Sequence, residues 1–136
     1  GQSGSDNTHP DTDFPMFRLA DVYLIYAEGV ERGAGGDAAT ALNYINDIRS
    51  RAATASVTAT DVDLDFILDE RARELYWEGH RRVDLIRHNK FVSASYLWPW
   101  KGNVKEGQGV DDKYKILPIP SADMAANPKL NQNPGY

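Results

Sequence analysis

The 136-residue chain contains no cysteine. That excludes disulfides, thiol catalysis and cysteine-based metal sites within it. The absence suits either a reducing cytosol or a cell-surface protein built without disulfides. Basic charge is also in deficit: 15 Lys and Arg face 20 Asp and Glu, for a net charge of −5. Nucleic-acid binding needs a basic field to offset phosphate, so nucleic acid is excluded as a partner. Long apolar runs are missing. The longest, Val22 to Ala27, falls far short of the roughly 20 residues that a membrane-spanning helix needs. No secretory signal is visible. The polar opening "GQSGSDNTHPDTD" reads as a trimmed start, so the missing signal does not decide location. There is no G-x-S-x-G elbow, no P-loop and no dinucleotide-binding glycine pattern. Gly33, Gly35 and Gly36 do not follow a strand and read as turn residues.

What is present is ordinary for one modest soluble domain: 41% hydrophobic and 26% charged residues. Residues 1–16 lack periodicity and read as a flexible lead-in. Leu19, Val22, Tyr23, Tyr26, Ala27 and Val30 recur at helical spacing, predicting a first helix over 17–32. The glycines that follow end it, and Asp37 is placed to N-cap a second helix. Its apolar stripe is Ala38, Ala41, Leu42, Ile45 and Ile48. The pair makes an antiparallel hairpin. A small-residue linker (53–60) leads to a third helix starting near Asp61–Asp65 and running to Gly79, then to a shorter fourth, "RRVDLIRHN". From Lys90 to Ile119 the helical pattern fades, and Ser121 could cap a final short helix. Tetratricopeptide-type solenoids need about three repeats to bury a continuous core. One hairpin therefore predicts a piece of a larger helical protein, or one that leans on a partner.

The densest chemistry lies in "ERARELYWEGHRRVDLIR" (70–87), with five arginines and four carboxylates among 18 residues. Leu75, Tyr76, Trp77, Val83, Leu85 and Ile86 within it read as core. Glu70, Glu74 and Glu78 recur every four residues and share a helix face. Glycoside hydrolysis needs carboxyls on opposite sides of the scissile bond, which neighbours on one face do not supply. Stacked acids repel and call for cations, and arginine pairs carboxylates bidentately. The expectation is a structural ion-pair frame of Arg49, Arg51, Glu70, Arg71, Glu74, Glu78, Arg81, Asp84 and Arg87. Partner contact and catalysis rank behind it, so no catalytic residue is assigned.

"DVDLD" (61–65) imitates a calcium loop, but Phe66 stands where glycine is needed and Ala72 where glutamate is needed. His9, His80 and His88 lack zinc-type spacing, so neither a metal nor a cofactor is expected. The remaining candidate is "SYLWPWKGN" (95–103). Tyr96, Trp98 and Trp100 could give sugar rings a stacking platform, with Lys101 or Asn103 for the hydroxyls. The competing readings are packing onto the core and contact with a partner.

Five phrases, in order, carry a resemblance: "RLADVYLIYAE" (18–28), "ALNYINDIRSRA" (41–52), "ILDERARELYWEGHRRVDLIR" (67–87), "LPIP" (117–120) and "NPKLNQNPGY" (127–136). Together they resemble the C-terminal region of the SusD/RagB family over residues 17–136, read as one domain. The resemblance implies a mainly α fold. It would hold a tetratricopeptide-like hairpin, a charged helix pair and a long irregular C-terminal segment. It also implies a non-enzymatic, cell-surface nutrient-binding lipoprotein of Bacteroidetes. Such a protein sits on the extracellular face of the outer membrane, over a SusC-like TonB-dependent transporter, and captures an oligo- or polysaccharide ligand. The chain departs from the family in length and in lacking the lipidated cysteine, so a lipid anchor would lie outside it. A helical protein-interaction scaffold with no small ligand of its own stays open. A carbohydrate-active enzyme ranks lowest.

Overall fold

The computed structural model describes residues 15–136. The expected lead-in, with His9, lies outside the described residues except for Pro15 and Met16. Five α-helices run in order: α1 (Leu19–Glu31), α2 (Ala38–Arg51), α3 (Leu64–Glu74), α4 (Arg81–Arg87) and α5 (Ser121–Ala126). Three short 3₁₀ turns join them, and no strand occurs among the described residues. The chain divides into two compact units, one ending at Glu74 and one spanning Leu75–Tyr136.

In the N-terminal unit, α1, α2 and α3 enclose Leu24, Ala27, Ala41, Ile45, Ile48 and Ile67. Of the expected α1 stripe, Ala27 is buried and Tyr23, Tyr26 and Val30 pack against the core. Leu24 is fully buried, whereas Leu19 and Val22 are exposed. Tyr23 and Tyr26 pack the hairpin as expected: Tyr44 of α2 stacks on Tyr23 with centroids 4.0 Å apart and meets Tyr26 edge-on at 5.4 Å. The hairpin turn requires Gly36. Its φ is +105°, and a Cβ there would stand 2.9 Å from Val30 and 3.0 Å from the Tyr26 hydroxyl. Asp37 caps α2 as expected, Oδ2 accepting from the Thr40 amide at 2.8 Å. The linker is not loose. The Asn46 amide group pairs with both backbone groups of Val57, at 2.8 and 3.0 Å, mimicking a strand pairing.

The "DVDLD" carboxylates serve helix starts. Asp61 accepts from the Thr58 amide at 2.8 Å, and Asp63 accepts from the Phe66 amide at 2.7 Å. Helix α3 stops at Glu74, five residues before the glycine expected to break it. The chain reverses because Trp77 itself takes the left-handed region, at φ +67°, ahead of Gly79 at +80°. Two corrections follow. Tyr76 and Trp77 are 75% and 87% exposed rather than core, and Glu78 falls beyond the helix, off the face that carries Glu70 and Glu74.

In the C-terminal unit, Leu75, Leu85 and Val92 are buried, but Val83 is exposed. Ser121 opens α5 as its first helical residue, after Pro120, and makes no side-chain cap.

Candidate functional site

Two constellations emerge, one in each unit. In the N-terminal unit each glutamate of α3 gathers two arginines. Glu70 Oε2 lies 2.9 Å from Arg49 Nη1 and 2.6 Å from Arg73 Nη2. Glu74 takes Arg18 Nη2 at 3.0 Å on one oxygen and Arg51 Nη2 at 2.5 Å on the other. Arg71 reaches Asp21 at 2.8 Å. Both glutamates are nearly buried and each is paired with two arginines. In the C-terminal unit Asp84 pairs with Arg87 at 2.8 Å. Arg81 donates to the Tyr96 hydroxyl at 2.5 Å with its guanidinium over the Tyr96 ring.

The second constellation is an open cavity of about 710 Å³ within the C-terminal unit, walled by Phe91, Trp98, Tyr114 and Tyr136. Small-ligand sites typically enclose about 300–1,000 Å³. The expected three-aromatic platform is divided. Trp98 lines the cavity and lies 6.4 Å from Phe91. Tyr96 is turned to Arg81. Trp100 is 66% exposed, at φ +69°, and outside the lining. The loop is shaped by close backbone approach: a Cβ on Gly107 would stand 2.5 Å from the Trp98 carbonyl.

Lys101, expected to meet ligand hydroxyls, points inward. It is 3% exposed and its ammonium donates to the carbonyls of Lys90 (3.0 Å), Ser93 and Tyr96 (2.7 Å). It also lies 4.5 Å from the Trp98 ring centre. Burial pushes this ammonium below the usual lysine range. Lys101 thus spends its three donors on holding the loop that presents Trp98.

Sequence reasoning missed Phe91, Tyr114 and Tyr136. They are scattered over 46 residues of irregular chain, and no periodic pattern links them. The C-terminal tyrosine is fixed by its hydroxyl, which donates to the carbonyls of Lys113 and Ile116 at 3.1 and 2.9 Å. Its ring closes one side of the cavity.

The N-terminal unit is thus a helical hairpin of tetratricopeptide type closed by α3, and the C-terminal unit holds an open, ligand-sized aromatic cavity. Comparison with known proteins gives the lineage. The SusD family profile matches residues 1–136, and the chain belongs to that family. It is 44% identical over 136 residues to the starch-binding protein SusD of Bacteroides thetaiotaomicron, covering 100% of this chain and 24% of that protein. It is 35% identical over 135 residues to SusD-like protein P38 of Formosa agariphila, covering 93% and 25%. Among solved structures, surface glycan-binding protein A from Bacteroides thetaiotaomicron superposes with a TM-score of 0.72 at 33% identity, over 88% of this chain and 24% of that one. A SusD superfamily protein from Parabacteroides distasonis gives 0.77 at 25% identity, over 96% and 29%. The chain spans about a quarter of the length of these curated relatives.

Proposed function

We propose that this chain serves a non-enzymatic, cell-surface glycan-binding protein that hands oligosaccharides to a TonB-dependent transporter of the SusC type at the outer membrane. The observation that carries the reading is the open aromatic cavity in a chain of the SusD family. Flat aromatic faces suit the apolar faces of sugar rings. The names of two relatives, a starch-binding protein and a surface glycan-binding protein, support the ligand class. The transporter partnership and the outer-membrane location rest on family membership alone. The engaged states of Glu70 and Glu74 favour binding over hydrolysis.

The test is glycan-array binding by the purified chain, paired with a reducing-sugar assay and co-purification with the SusC-type transporter. Retention of an oligosaccharide without release of reducing ends, and recovery of the transporter, are expected. Released reducing ends would make it an enzyme. A second reading, a protein-interaction scaffold, draws on the exposed Leu19, Val22 and Ile25 of α1, which are 64%, 52% and 55% accessible. Recovery of the transporter with no glycan retained would favour that scaffold.

A further inference from the structure

We propose that the cavity of the C-terminal unit is a subsite for a neutral pyranose ring, gripped through adjacent hydroxyls by Arg82 and Asp111 and seated against Trp98. The inference rests on the glycan-binding reading and adds the place and the chemical class of the sugar.

A sugar hydroxyl is donor and acceptor at once. A site that selects sugars must offer unspent groups of both kinds beside an apolar wall, and this cavity offers them. Arg82 uses only Nη2, on the carbonyls of Tyr114 and Lys115 at 2.8 and 3.3 Å. Its guanidinium is held 5.0 Å over the Phe91 ring. Its Nε and Nη1 have no acceptor, and no carboxylate opposes it, among the described residues. Asp111 spends Oδ1 on the Lys113 amide at 2.8 Å and keeps Oδ2. Gln108 spends Nε2 on the Gly102 carbonyl at 3.1 Å and keeps its oxygen. The Asn103 side-chain amide and the Tyr114 hydroxyl have no hydrogen-bond partner among the described residues. All five residues line the cavity.

The other polar groups at the wall are committed elsewhere. The Tyr136 hydroxyl serves two carbonyls and the Lys101 ammonium serves three. Among the lining residues, the charges with unspent atoms are therefore one guanidinium and one carboxylate. An acidic sugar would gain Arg82 but be repelled by Asp111, and an amino sugar would gain Asp111 but be repelled by Arg82. A neutral ring satisfies both, the carboxylate accepting from one hydroxyl and the guanidinium donating to its neighbour. Charged partners make the stronger hydrogen bonds.

The test is calorimetric titration of the whole chain with maltohexaose and xylohexaose, against hexagalacturonate and a glucosamine hexamer. Asp111→Asn, Asn103→Ala and Tyr114→Phe are run beside the parent, each checked for an unchanged melting temperature. A neutral hexasaccharide should bind and quench tryptophan emission. Asp111→Asn should weaken it about 10-fold, the scale of one charged hydrogen bond. Two outcomes overturn the subsite and leave the glycan-binding reading standing. One is neutral-sugar affinity unchanged in all three variants; the other is hexagalacturonate binding tighter than every neutral hexamer. Absence of binding to all four probes overturns the subsite, while the array and transporter arms decide the broader reading separately.

Discussion

Arg71 of α3 reaches across to Asp21 in the first turn of α1, Nη1 to Oδ1 at 2.8 Å, with its side chain 3% exposed. Asp21 also stands where the helix dipole favours an anion. Deleting the carboxylate would leave a buried guanidinium without this counter-ion. Breaking a buried pair by removing one partner costs roughly 3–5 kcal/mol. Asp21→Ala should lower the melting temperature markedly, and chemical denaturation should report a loss on that scale. A loss no larger than that of a surface substitution would show that the pair is not what ties α3 to α1.

Glu74 offers a graded comparison. Its side chain is 6% exposed, but its partners Arg18 and Arg51 are 27% and 63% exposed, so both can be solvated once the carboxylate is gone. The cost of Glu74→Ala should lie between that of surface and buried pairs, about 2 kcal/mol. Oligosaccharide affinity should not change, because the residue is outside the cavity. A variant that melts like the parent but binds sugar more weakly would move this glutamate from the frame to the ligand site.

The carbonyls of Lys90, Ser93 and Tyr96 converge on one ammonium. Lys101→Met keeps the length of the side chain and removes all three donors. Each buried group left unpaired costs about 1–3 kcal/mol, so a total loss of about 3 kcal/mol or more is expected. Hydrogen exchange should quicken across 90–101. Arginine should not rescue it, since a planar fork does not reproduce a three-way point charge. Full rescue by Lys101→Arg would refute the convergence argument.

Two exposed aspartates set an acid dependence. Hydrogen bonds from Thr40, its hydroxyl foremost, hold the Asp37 carboxyl below its ordinary value of 3.8. Thr58 does the same for Asp61. A depressed native value means that the unfolded chain takes up protons first as pH falls. The stabilisation is fully present above about pH 4 and is lost as pH drops through the lowered native values. Asp37→Asn and Asp61→Asn each keep an acceptor but cannot titrate. They should flatten the acid limb of a stability–pH curve below pH 4 and leave its slope near neutrality unchanged. Parallel acid limbs in parent and variants would contradict this.

The parts of the fold legible in the sequence were those governed by local rules. The Gly36 turn, the Asp37 cap and the Ile45–Ile48 stripe follow from propensity and spacing. Helix α3 ended early because Trp77 adopts a backbone region that favours glycine, for which bulky residues carry no signal. That one reversal exposed Tyr76 and Trp77 and separated Glu78 from Glu70 and Glu74. The inward turn of Lys101 was equally hidden, since lysine is almost never fully buried unless paired and its partners are backbone carbonyls. The cavity joins Arg82 to Tyr136 through irregular backbone, where neither a period of 3.6 nor one of 2 applies.

The separation of Trp98 from Trp100 gives a last prediction. Trp98 lines the cavity, while Trp100 is exposed in the left-handed region, where a non-glycine residue costs on the order of 1–3 kcal/mol. Trp100→Gly removes that strain and an exposed ring together, so it should hold or raise the melting temperature without weakening oligosaccharide binding. Trp98→Phe keeps an aromatic wall of smaller area and should weaken binding several-fold. Tryptophan quenching on titration should persist in Trp100→Gly and fall sharply in Trp98→Phe. The reverse pattern would place the stacking surface on the outer face of the loop. The cavity wall would then be packing, and the ligand would be met by Trp100 at the protein surface.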